Sequence, residues 1–88
     1  MQLQTTRVTK EVAVLRFATV AKVCYDVAFR LRTNFKLKRL AAEWVCFRCL
    51  GFIEIGQRGG KTADELAAAV YHVWDVRYKR EYLDMRGE

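Results

Sequence analysis

The chain has 88 residues, of which 52% are hydrophobic, 12% aromatic and 30% charged, and its formal net charge is +6. That length makes one domain, able to bury roughly 60–65% of its unfolded surface, and the apolar share excludes a disordered chain. Charge is unevenly placed. Residues 1–48 carry ten Lys and Arg against Glu11, Asp26 and Glu43, a balance of +7, whereas residues 49–88 carry six against seven acids, a balance of −1. This asymmetry directs the first half toward nucleic acid, anionic lipid or an acidic protein surface. The apolar content also exceeds what one small core can hold, so a protein partner or a second copy of the chain is the expected place for the surplus.

In chain order, Gln2 to Val8 alternates weakly and reads as a short strand or a lead-in. From Thr9 to Arg32 the period is helical. Arg16, Thr19, Lys22, Asp26 and Arg30 form one polar stripe, and Val14, Phe17, Val20, Ala21, Cys24, Val27, Ala28 and Leu31 cover the opposite side. The charges within this segment exclude a membrane span. Asn34 is placed to cap a second helix, Phe35 to Leu50, whose apolar face is Leu37, Leu40, Ala41, Trp44, Val45 and Phe47. Gly51 fits that helix's C-terminus. Phe52–Ile55 lies between glycines and reads as a short extended segment, followed by a glycine-rich loop. Thr62 and Glu65 have capping-box spacing, and the last helix is expected from Ala63 to about Met85. The sequence thus predicts an all-α domain of three helices, with an extended segment and a Gly-rich loop before the third.

The loop approaches one named motif. Gly60-Lys61-Thr62 matches the end of a phosphate-binding loop, but Ile55 stands where the first glycine belongs and Gly56 comes one position late. No apolar strand ending in a magnesium-binding Asp follows, so nucleotide hydrolysis is not expected. Arg58 and Lys61 beside the free N–H groups of a helix start remain candidates for an anion such as a backbone phosphate.

Cys46-Phe-Arg-Cys49 is a CxxC late in a helix, in a chain with no proline. Redox use of the motif opens a helix, so buried thiols are expected here, with no metal and no cofactor, although Cys24 and His72 would complete a Cys₃His set. The chain has no serine, which removes a Ser-His nucleophile. Three cysteines and no secretory leader pattern indicate a reducing intracellular compartment, either the cytoplasm or an organelle reached by an uncleaved address.

Residues 29–60 resemble winged helix-turn-helix DNA-binding domains. Asn34-Phe35 corresponds to the turn, Leu40, Trp44 and Phe47 to the buried face of a recognition helix, Leu50–Glu54 to a strand, and Arg58-Gly59-Gly60-Lys61 to the wing tip. The resemblance implies a DNA-binding transcriptional regulator with Lys36, Lys38 and Arg39 at the helix end that reads the major groove. Thr33 falls where that family has a buried apolar residue, and no returning strand precedes Thr62.

The primary expectation is a non-catalytic accessory or adaptor subunit of a larger protein or ribonucleoprotein complex. Tyr71, Trp74, Tyr78 and Tyr82 recur at helical spacing with Arg77 among them, a composition favoured at protein interfaces. That stripe is expected to be core at its start and an amphipathic contact surface toward its end, serving as the apolar anchor. Lys36, Lys38, Arg39, Arg58 and Lys61 are the expected contacts to nucleic acid or another anion.

Overall fold

The computed structural model describes residues 20–87. Helix α1 covers residues 20–34. It is followed by α2 (Arg39–Arg48), α3 (Leu50–Arg58) and α4 (Ala63–Val73), and α4 continues through a π turn (Trp74–Tyr78) into α5 (Lys79–Met85). The last three segments are one rod, so the described residues form four helices and no strand. The all-α class agrees with the sequence periodicity; the helix count does not. The Gln2–Val8 segment and the part of the first helix carrying Val14, Arg16, Phe17 and Thr19 lie outside the described residues.

The core takes Val27 and Leu31 from α1, Ala42 and Val45 from α2, Ile53 from α3, and Leu66, Ala67 and Val70 from α4. Lys22, Asp26 and Arg30 are exposed on the opposite side of α1, as its polar stripe requires. Arg30 reaches Asp64 at 3.2 Å and Arg48 reaches Glu81 at 3.4 Å. These exposed pairs link α1 to α4 and α2 to α5, at roughly 0–1 kcal/mol each.

Asn34 does not cap the second helix. It is the last residue of α1, and α2 is entered from Lys38, which makes no side-chain capping bond. The chain turns between the two helices because Phe35 and Leu37 both donate their N–H to the Leu31 carbonyl, each at 3.2 Å. That closure forces Lys36 to φ = 60°, the left-handed position that ends many helices and that glycine normally fills.

The extended segment at Phe52–Ile55 is a correction, since these residues lie inside α3. Gly51 is within that helix rather than at the end of α2, and the actual break is Cys49 (φ −105°, ψ 17°). Glycines and a β-branched pair bias the local reading toward extended backbone, but Cys49, Ile53 and Gly56 share a helical face that packs inward. Gly56 sits under buried Leu66, and a Cβ there would collide with that side chain's methyl. The glycine is a packing device between α3 and α4, not a loop signal. The strand on which the winged-helix resemblance depends, Leu50–Glu54, is therefore helical.

Two residues assigned to the buried face of α2 are not buried. Leu40 is 55% and Phe47 67% exposed, because Ala41, Ala42, Val45 and Cys46 take the inward positions.

Two substitutions check this description. Gly51→Ala meets open space within a helix and should stabilise the protein by roughly 0.5–1 kcal/mol. Lys36→Gly should also stabilise, by roughly 0.5–1 kcal/mol, by relieving the left-handed strain. Urea unfolding measures both, and destabilisation by Gly51→Ala would contradict a helical α3.

Candidate docking groove

The rod α4–π–α5 is fixed by the capping box at its start. Glu65 donates its N–H to Thr62 Oγ1 at 3.2 Å, and Thr62 N–H donates to Glu65 Oε1 at 3.3 Å. Further along, Trp74, Tyr78 and Tyr82 all meet Trp44 of α2, with ring centroids 6.3, 5.7 and 5.4 Å away. In an uninterrupted α-helix each four-residue step drifts by roughly 40° around the axis. The π turn adds one residue at this point, which takes back that drift and keeps the three rings on the α2 side. Arg48 lies over the Trp44 and Tyr78 rings at 5.6 and 5.2 Å.

On the other flank of α2, the α1–α2 turn and the last helix enclose an open groove of ≈ 440 Å³. Phe35, Leu37, Tyr71, Trp74 and Tyr82 give it an apolar lining. Phe35 and Tyr71 stack on each other at 4.3 Å with planes 13° apart, while Trp74 and Tyr82 are buried at 6% and 7% exposure. Among the described residues the charged lining comprises Lys36, Lys38, Arg39, Lys79 and Arg86, with no carboxylate. Arg39 is bonded to Glu43 at 2.9 Å, which raises its pKa, and Arg86 lies over the Tyr82 ring at 5.7 Å. Lys36, Lys38 and Lys79 make no ion pair among the described residues. The first turn of α2 opens here too, with neither a side-chain cap nor an acidic residue.

Two residue sets far apart in sequence therefore meet. Lys36, Lys38 and Arg39 face Tyr71, Trp74 and Tyr82 across one groove. The remaining candidates lie elsewhere. Tyr78 is on the Trp44 side, with Arg77 at 5.9 Å from its ring. Arg58 is bound to Glu54 at 2.7 Å. Lys61 is exposed in the turn before Thr62, where the capping box occupies the Thr62 and Glu65 donors and Asp64 and Glu65 open the helix. That helix start presents two carboxylates to an approaching anion. Sequence reading missed Lys79, Leu83 and Arg86 as part of the site, although Lys79, Tyr82, Leu83 and Arg86 share one helix face by their three- and four-residue spacing from Lys79 onward.

Cys46 and Cys49 are buried and Cys24 is half-buried, all as free thiols. Burial pushes the Cys46 thiol up to about 12, reinforced by the neighbouring Cys24, Cys49 and Glu43. Burial also raises Cys24, and it raises Cys49 against the opposing pull of Arg48 and Arg77. Thiols shifted upward are poor nucleophiles near neutrality. His72 is exposed, and no group of three metal-ligating side chains occurs among the described residues. No described helix is long and apolar enough to cross a membrane.

No family model, curated protein or solved structure matches this chain.

The Cys46 shift has a definite sign. The unfolded thiol ionises near its ordinary value while the folded one keeps its proton to about pH 12. The folded state then holds more protons in that window, and its stability falls as pH rises. Unfolding free energy should decline from about pH 9 upward, and Cys46→Ala should flatten that decline. An unchanged slope in the variant would contradict the assignment.

Proposed function

We propose that this chain is a non-catalytic docking protein, an accessory or adaptor subunit that holds an acidic segment of a larger partner in the groove between the α1–α2 turn and the last helix. One observation carries the reading: Lys36, Lys38 and Lys79, with no ion pair among the described residues, line a groove whose apolar wall is already formed by the chain's own packing. Unpaired lysines around an apolar surface attract a carboxylate-bearing segment and set its register more than they add raw affinity. The strained backbone at Lys36 supports the same reading. A left-handed non-glycine residue persists where its side chain is needed, and functional sites collect such strain.

Nucleic acid is the second reading, resting on the same lysines. Non-specific strand binding uses free ring faces on which bases stack. Here Phe35 and Tyr71 cover each other, and Trp74 and Tyr82 are buried. Arg58, which the winged-helix resemblance assigns to a wing, is held by Glu54 inside the chain. These contacts favour a protein partner.

The test compares a fluorescent Glu-rich peptide with an oligothymidine strand, in the wild type and in the triple variant Lys36→Glu, Lys38→Glu, Lys79→Glu. All three lysines are exposed, so the fold should persist. The peptide should bind more tightly than the oligonucleotide, and the variant should lose roughly tenfold or more of its affinity. Tighter oligonucleotide binding with a steep salt dependence would replace the adaptor reading with a nucleic-acid one. Peptide binding indifferent to the triple reversal would remove the groove from the function.

A further inference from the structure

A second groove, of ≈ 320 Å³, lies along the outer face of α1 where that helix meets α2 and α3. Its floor is made of small side chains, Ala21, Cys24 and Ala28, recurring at helical spacing along α1. Tyr25 and Phe29 wall it on one side, and Phe47 and Leu50 on the other. They are 72%, 48%, 67% and 38% exposed. Nine large apolar residues are exposed among the described residues, and four of them converge here. Scattered apolar side chains need no explanation, but a contiguous set around a concave floor marks a binding surface.

The charges on this groove discriminate between occupants. Glu43 is neutralised by Arg39 at 2.9 Å, whereas Arg32 has no ion-pair partner among the described residues. The groove therefore presents an apolar trough with one uncompensated positive charge. A second copy packed symmetrically through this trough would bring another Arg32 against the first. We infer that this trough receives an amphipathic helix of a different protein, one that inserts large aliphatic side chains over Ala21, Cys24 and Ala28 and places a carboxylate against Arg32. This is the helix-in-groove mode, in which anchors spaced three and four residues apart fill a preformed trough. The surface stands independently of the basic groove described above, and with both occupied the chain would bridge two partners.

The experiment uses the full chain and two designed helical peptides with the same Leu/Ile face, one flanked by Glu and the other by Lys. Binding is read by fluorescence anisotropy and mapped by NMR. The Glu-flanked helix should bind more tightly and shift the signals of Tyr25, Phe29, Phe47 and Leu50. Phe47→Glu should weaken it at least tenfold while leaving the circular dichroism and the binding of a Glu-rich, non-helical peptide to the basic groove unchanged. Arg32→Glu should reverse the preference between the two helices. The inference is overturned if neither helix binds, if Phe47→Glu has no effect, or if the peptides bind equally. It is also overturned if sedimentation shows a homodimer that Phe47→Glu dissociates, or if NMR finds residues 1–19 seated in the trough. Because the Glu-rich peptide reads the basic groove separately, failure at one surface is not mistaken for failure at the other.

Discussion

The contact on which this fold depends is the meeting of Trp44 with three rings of the last helix. Trp44 touches Trp74, Tyr78 and Tyr82, and Trp74 in turn meets Tyr82 at 5.3 Å. The aliphatic core beneath is built mainly of valine, alanine and single leucines, which supply less area per residue than aromatic side chains do. The ring cluster is what holds α5 against α2. The π turn follows from the same constraint, since without it successive rings at four-residue spacing would turn away from Trp44. Arg48 closes the exposed edge of this cluster by lying over two rings while pairing with Glu81.

The cluster lies between two grooves, one on either flank of α2. On one flank, Trp74 and Tyr82 turn their remaining edges into the basic groove. On the other, inward use of Ala41, Ala42, Val45 and Cys46 leaves Phe47 outside, beside Tyr25 and Phe29. The Arg39–Glu43 pair runs along α2 between the two, with Arg39 on the lining of the first groove and Glu43 on that of the second. Along this flank alanines face inward while the rings of Tyr25, Phe29 and Phe47 stay outside, against the usual placement of large apolar side chains. Internal packing is given up where these rings stay exposed.

Lys36 shows the same balance at a single residue. The α1–α2 turn could close more easily with glycine at φ = 60°. Glycine would relax the backbone and remove a cation from the groove, so stability and charge placement pull this position in opposite directions.

The sequence by itself determined the helical class, the capped start at Thr62, the polar stripe of α1, the burial of Cys46 and Cys49, and the charge asymmetry. Each is encoded locally, by period, by cap spacing or by composition. Tertiary structure decided the rest. Residues 50–58 became a helix because Ile53 finds the core and Gly56 makes room for Leu66, contacts that no local window contains. The Tyr82 ring, expected on a contact surface, is buried like Trp74 because Trp44, far earlier in the chain, stands opposite both. The lysines at 36 and 38 and the rings at 71, 74 and 82 belong to one groove only because the turn after α1 folds back over the last helix. Periodicity names the face of a helix, but what that face meets depends on partners distant in the chain, and packing chooses them.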